Sequence, residues 1–384
     1  MEYRKLGRTG IEVSVVGIGG EGFENKDSVE TEALIDCAME NGIHFFDLYN
    51  SNPAVRDHVG KALSKYPRDR FVIQGHLCSM WEMDQYRRTR DLGETVQAYE
   101  DLLQRTGFGY IDVGMIHYID EQADYDAVFG GEILQYAKEL KVKGIVRSLG
   151  ISTHNPDIAL QAAETGIIDV ILFSINPAYD MLPASEDVNV LFDEGTFKDQ
   201  TYEGVDPKRD LLYRTCESAG VALTVMKAYA AGVLLDGQIS PFEKALTPVQ
   251  CLHYCLTRPS VASVTIGVSD RNQILAAASY GIASDSEKDY SEALATAPRN
   301  AFRGHCMYCG HCAPCPKKID VAAVNKYLDL ALVQDTVPDT LKNHYSLLEH
   351  HADECVQCGS CMKNCPFDVD VIGKMKQAVR TFGE

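Results

Sequence analysis

The sequence predicts an α/β chain: a (β/α)8 TIM barrel over residues 1–282, then a small α-helical, cysteine-rich domain over 283–384. Two observations carry this expectation. Short β-branched runs recur at roughly 30–40-residue intervals, with amphipathic helical stretches between them. Beyond residue 305, eight of the 13 cysteines fall in two tight runs.

The expected strands, in order, are "VSVVGIG" (13–19), "HFFDLY" (44–49), "FVIQGHL" (71–77) and "IDVGMIHY" (111–118). They continue with "IVRSLGIS" (145–152), "DVILFSIN" (169–176), "VALTVMKA" (221–228) and "VASVTIGV" (261–268). Helices fit between them, among them "TEALIDCAMENG", "VRDHVGKALSKY", "ETVQAYEDLLQRTG" and "GEILQYAKELKVKG". Several close with glycine, the residue suited to a left-handed C-cap. Eight strands, each followed by a helix, indicate a closed barrel. A doubly wound sheet is the alternative, but "GIGGEGF" lacks the glycine spacing of a dinucleotide-binding turn.

Active sites of such barrels gather at the C-terminal strand ends. The polar residues expected there are Asp47, Tyr49 and Asn50, then His76, His117, and Ser152 with Thr153 and His154. Asn176, Lys227, and Ser269 with Arg271 complete the ring. Strand alternation puts Asp47 and Tyr49 on one face, and Gln74 and His76 on one face of the next strand. Histidine titrates near neutrality, so His76 beside Asp47 could donate a proton or stabilise an oxyanion. Tyr49 is a second candidate donor. His154 could equally cap the turn before "NPDIAL", and Lys227 could be a solvated cation or a phosphate contact. The long loop after the third strand, "CSMWEMDQYRRTRDLG", lies where a cover over the mouth would be. "PRDR" (67–70) has the look of an ordinary surface loop.

Net charge narrows the partners. At −19 the chain is unsuited to sequence-independent binding of nucleic acid or anionic membrane, so a small-molecule substrate is expected. No 18-residue apolar run is present, and the charged start "MEYRKLGRTG" argues against export, which points to the cytoplasm.

The cysteine runs supply Cys306, Cys309, Cys312 and Cys315 before Pro316, and Cys355, Cys358, Cys361 and Cys365 before Pro366. Two intervening residues let three thiolates cap one face of a [4Fe–4S] cube, and the fourth, ahead of proline, reaches across to the other cluster. The expected sets are therefore Cys306, Cys309, Cys312 with Cys365, and Cys355, Cys358, Cys361 with Cys315. The first run is one residue short before its last cysteine. Zinc is the alternative metal, but zinc sites use pairs of Cys-x-x-Cys. Residues 283–300 are expected to form a linking helix, with two more helices at "DVAAVNKYLDLALVQ" and "PDTLKNHYSLLEHHA". This arrangement resembles α-helical ferredoxin-like iron–sulfur modules. Of the remaining cysteines, Cys37, Cys216, Cys251 and Cys255 read as helix faces. Cys78 reads as buried, although it lies near enough to His76 to enter the site.

"YRKLGRTGIEVSVVGIG", "NGIHFFDLYNS", "YIDVGMIHY" and "SLGIST" resemble the aldo-keto reductases, (β/α)8 oxidoreductases that use NADP(H). With its cysteine-rich tail the chain resembles a subgroup that carries ferredoxin-like C-terminal domains. The resemblance implies that the opening segment is a hairpin closing the barrel bottom. It also implies that Asp47 and His117 match two of the four catalytic residues. Where the family has its tyrosine this chain has Asn52, and where it has its lysine this chain has His76. Ser152 matches a nicotinamide-contacting serine, but Thr153 replaces an asparagine and Met226 stands where an aromatic would stack. From their places at the strand ends, Asn176, His154 and Lys227 are candidate cofactor contacts, and after Gly267, Arg271 could meet a phosphate. The function implied is an oxidoreductase reducing a small organic substrate, with Asp47, Tyr49, His76 and His117 handling protons. Its electrons would come from a ferredoxin or flavodoxin through two [4Fe–4S] clusters, to the substrate or to a flavin at the mouth. The alternatives are an NAD(P)H-dependent reductase with a rearranged tetrad and a non-catalytic electron-transfer subunit.

Overall fold

A computed structural model describes residues 1–83, 85–187, 204–295, 304, 306–310, 312–332, 334, 336–365 and 367–383. Pro366 and the end of the expected linking helix, 296–300, lie outside the described residues.

Eight parallel strands close into a barrel. They are β3 (Val16–Gly19), β4 (Phe45–Leu48), β5 (Val72–Leu77), β8 (Ile111–Ile116), β9 (Val146–Thr153), β10 (Val170–Ser174), β11 (Ala222–Met226) and β12 (Val261–Gly267). All eight expected strands are present: seven are shorter by one to three residues, β9 is shifted by one to end at Thr153, and residues 13–14 of the first belong to the hairpin instead. Outer helices α1 (Ser28–Glu40), α2 (Pro53–Leu63), α3 (Leu92–Thr106), α4 (Gln122–Gly130) and α5 (Glu132–Val142) cover the first half. α6 (Pro156–Glu164), α7 (Pro207–Ala219), α8 (Pro248–Thr257) and α9 (Arg271–Ala278) cover the second. Their starts follow from local chemistry: Asp27 closes a capping box on α1, and α2, α6, α7 and α8 begin with proline behind a polar cap.

The hairpin β1 (Tyr3–Lys5) and β2 (Glu12–Ser14) closes the N-terminal end of the barrel. Its Leu6, Ile11 and Val13 fill the lower interior with Phe45, Val113 and Leu172. The upper interior is polar: Gln74 bonds Asp47 (2.7 Å) and accepts from Thr224 (3.1 Å). Apolar packing thus stops where the strand ends begin, and the mouth starts on a polar floor.

The long segment after β5 is not an irregular loop. It folds as an antiparallel ribbon, β6 (Ser79–Glu82) and β7 (Gln85–Arg88), in which Trp81 opposes Tyr86.

Beyond the barrel come α10 (Asp285–Lys288) and α11 (Ser291–Ala295), two short pieces where one linking helix was expected, then α12 (Val321–Leu332). α13 (Asp339–Ser346) stops well before the expected end at Ala352, and α14 (Ser360–Asn364) and α15 (Val371–Phe382) complete the chain. This C-terminal module docks against α7 and α8 toward the closed, N-terminal end of the barrel. Arg258, directly after α8, is buried there, donates to the Met307 carbonyl (2.6 Å) and lies over the rings of Tyr254 and Tyr308. The Tyr290 hydroxyl donates to the same carbonyl (2.6 Å). Gln334 donates to Ser218, and Arg214 to the Asp329 carbonyl. No helix among the described residues is long and apolar enough to cross a membrane.

Candidate active site and metal centres

Neighbouring strand ends build one hydrogen-bonded line across the mouth. β4 and β5 pair with Asp47 opposite Gln74, and β5 and β8 with His76 opposite Met115, which sets the side chains at one level. The Asp47 Oδ1 accepts from His76 Nε2 (2.8 Å), and the Nδ1 atoms of His76 and His117 lie 2.7 Å apart. Ser152 Oγ, which accepts from the Tyr118 N–H (2.7 Å), lies 3.5 Å from His117 Nδ1. An ionised carboxylate only accepts, so Nε2 of His76 carries a hydrogen. Two facing imidazole nitrogens at this distance must share one proton. Burial, then the neighbouring His76, Arg90, His154 and Arg88, hold the pKa of His117 well below its ordinary value.

Tyr49 stacks on His117 with ring centroids 5.7 Å apart and planes 6° apart. Burial, followed by Glu21, Glu24 and Asp47, raises its pKa above the usual phenol range. Its ring forms a wall of the site against His117. The ribbon supplies Tyr86, edge-on to both Tyr49 (6.1 Å) and His117 (5.5 Å), so the segment expected to cover the mouth does touch the candidate residues. Arg90 anchors the end of that segment: it donates to Asp124 (2.6 and 2.7 Å) and to the carbonyls of His117 and Tyr118.

Asn52, at the family's tyrosine position, caps α2 by accepting from the Ala54 N–H (2.9 Å). Asn50 ties Glu24 to this turn. Several residues expected to hold a cofactor are engaged within the protein. Asn176 donates to the Lys227 carbonyl (2.8 Å) and accepts from the N–H groups of Ala178 and Tyr179. His154 bonds Asp120 through its ring (2.9 Å) and its backbone (2.7 Å). Arg271 pairs with Glu40 (3.5 Å) on the outer helical layer. Lys227 takes a left-handed backbone conformation at the end of β11, and Gly267 is exposed at the end of β12. Cys78 is buried near Thr95, and burial raises its pKa, which fits an inert thiol. Cys37, Cys216, Cys251 and Cys255 are buried as well.

Sequence reasoning missed Asp120, the ring of Tyr118, and the buried Asp180, on which the hydroxyls of Tyr213 and Tyr254 converge beside Arg209. Their partners lie tens of residues away, so no local pattern announces them.

In the module, the eight run cysteines line two cavities. One is walled by Cys306, Cys309, Cys312 and Cys365, and the other by Cys315, Cys355, Cys358 and Cys361. This is the crossed partition expected from the spacing. The two runs also share a backbone plan. Tyr308 and Gly310 have positive φ, as do Gln357 and Gly359 at the same offsets from Cys306 and Cys355. Lys318 and Asp368 repeat the match three residues after Cys315 and Cys365. Asp320 then caps α12 as Asp370 caps α15. The residue missing from the first run is thus absorbed before Cys315, and the register recovers at once. Among the described residues no group of three or more His, Cys, Asp or Glu converges on one ion. Zinc needs its sulfurs about 2.3 Å from a single point. Thiols spread around a cavity suit a cluster instead.

Residues 15–250 match the sequence profile of the aldo/keto reductase family, and residues 348–369 match a 4Fe-4S binding domain. No curated protein sequence matches the chain. Among solved structures, an aldo-keto reductase from Bacillus halodurans in its holo form superposes with a TM-score of 0.59 at 20% identity, covering 78% of this chain and 97% of its own. Its apo form gives 0.54 at 21% identity, covering 78% and 96%. A Pseudomonas aeruginosa protein assigned to the aldo-keto reductases gives 0.54 at 20% identity, covering 72% and 95%. At such identities the likeness speaks for the fold alone.

Proposed function

This chain belongs to the aldo/keto reductase family, and on that premise we propose an oxidoreductase in which Asp47, His76 and His117 move the substrate's protons. The single observation behind this reading is the unbroken line from the Asp47 carboxylate through two imidazoles to Ser152. Asp47 orients His76 and stabilises it when protonated. The shared Nδ1–Nδ1 proton lets a charge taken up at one ring be passed to the other. Tyr49 and Tyr86 exclude water from the pair. Ser152 and the Tyr118 N–H position His117.

Two [4Fe–4S] clusters, one per cradle, supply single electrons when bound. The repeated backbone plan and the crossed cysteine sets support two of them, although only the second run falls within the matched domain. Direct delivery from these clusters into the mouth of the same chain is not favoured. The cradles dock at the closed end of the barrel, and the seven residues of β12, at about 3.3 Å each, put roughly 20 Å between the two ends. A small carrier, or a protein of the ferredoxin or flavodoxin type, has to close that gap. The engagement of Asn176 and His154 within the protein speaks against the inherited NADP(H) contacts.

Anaerobic purification tests this reading. About eight irons per chain, with matching sulfide, are expected from two cubes. Reduced protein should turn over members of a panel of small carbonyl compounds, and His76→Gln should lower that turnover by about 10²-fold or more. Zinc in place of iron, or unchanged turnover by the variant, overturns it.

A further inference from the structure

The junction between barrel and module forms an open cavity of about 760 Å3, at the opposite end of the molecule from the mouth. Its size falls in the range of about 300–1,000 Å3 that holds small cofactors. Cys309 and Cys312 line this cavity and also the first cluster cradle, so the two spaces share a wall. The barrel and linker contribute Arg4, His253 and Lys288, and α12 contributes Lys326. Asp285, Asp289 and Asp320 also line it, of which Asp320 is occupied in capping α12.

Lys326 is the unexplained group. It makes no hydrogen bond or ion pair among the described residues, and burial draws its pKa down to about 8. An anion beside it would favour its charged form. The cavity therefore combines room for a cofactor, an amine awaiting an acceptor, and contact with two cluster thiolates.

We propose that this cavity binds an anionic two-electron carrier of the size and charge of flavin mononucleotide, with its phosphate on Lys326. The electron exchange rests on the cluster reading above. Two reduced cores each return from [4Fe–4S]1+ to [4Fe–4S]2+. The oxidised carrier takes those two electrons, one at a time, with two protons from water. A one-electron donor protein of the ferredoxin or flavodoxin class recharges the cores. Single electrons are thereby paired at the junction.

The test uses the anaerobically loaded full chain, titrated with flavin mononucleotide and read by flavin fluorescence. Binding should weaken about tenfold or more in Lys326→Gln, as expected for loss of a charge-assisted bond. It should recover in Lys326→Arg and stay unchanged in His76→Gln. In the reduced protein, bound flavin mononucleotide should alter the electron paramagnetic resonance signal of the first cluster. Iron present with no Lys326-dependent binding overturns the cavity proposal alone, as does binding lost in His76→Gln and kept in Lys326→Gln. Absence of iron overturns the cluster reading on which the electron exchange rests.

Discussion

His76 occupies the strand position where the family resemblance implies a lysine, and its neighbours explain how an imidazole can serve there. Both ring nitrogens are used, one on Asp47 and one on His117. Glutamine at this position could keep the bond to Asp47 but could not carry a proton. His76→Gln should therefore lower the turnover rate by about 10²–10⁴-fold, the range typical of general acid–base groups, while the protein still folds. Tyr49→Phe should cost far less, since the phenol of Tyr49 is held neutral and its ring does the packing. Steady-state rates on the same substrate separate the two. Away from the mouth, burial, with Lys288, Arg258 and Arg4, holds His253 down to about 4. Its folded pKa lies below the unfolded value near 6.5, so the unfolded chain binds the extra proton between these two pH values. Stability is full above about pH 6.5 and is lost as pH falls toward 4, by at most about 3 kcal/mol. Melting temperatures across that window should show the decline, and His253→Gln should flatten it.

At the scale of elements, the ribbon and the cysteine loops carry the distinguishing features of this barrel. The ribbon is pinned by Arg90, whose guanidinium meets Asp124 and two carbonyls at the end of β8. Arg90→Met leaves Asp124 without this partner and should destabilise the fold by about 2–4 kcal/mol. The fall in melting temperature measures it, and no fall would count against the pinning. The cysteine loops make a sharper claim. If the fourth cysteine of each run crosses over, Cys365→Ala should deplete the cluster of the first run, and Cys315→Ala that of the second. Iron content and the electron paramagnetic resonance spectrum of each variant report which signal is lost. Loss of the same-run signal would refute the crossed arrangement. The spacing of the runs made the lining of the two cavities readable in advance, because loops of two residues keep three thiolates together and the fourth, ahead of proline, reaches across. Nothing comparable marks the ribbon, whose strands are recognisable only once Trp81 is seen opposite Tyr86.

Across the whole molecule, a buried polar chain ties the two domains together. Asp180, after β10, takes the hydroxyl of Tyr254 (2.8 Å), whose ring lies under Arg258, and Arg258 donates to Met307 beside Cys306. Arg258→Met should loosen the module and leave the Met307 carbonyl with Tyr290 as its remaining donor. The expected outcome is faster proteolysis between residues 283 and 305 and faster loss of iron in air, with secondary structure retained by circular dichroism. Intact docking in the variant would show that apolar contacts suffice.

Sequence alone determined the eight strands, the convergence of Asp47, His76 and His117, and that the fourth cysteine of each run faces the cavity of the other. Each depends on periodicity or spacing within a short stretch, or on the rule that barrel strands present their C-terminal ends together. Tertiary structure decided which imidazole nitrogens meet, that Asn176 and His154 are already engaged, and that the module sits at the closed end. Those outcomes depend on pairings between residues dozens to hundreds of positions apart, such as Arg258 with Met307 and Asp120 with His154. A one-dimensional pattern cannot encode such pairings, because they exist only after the helices and strands have packed.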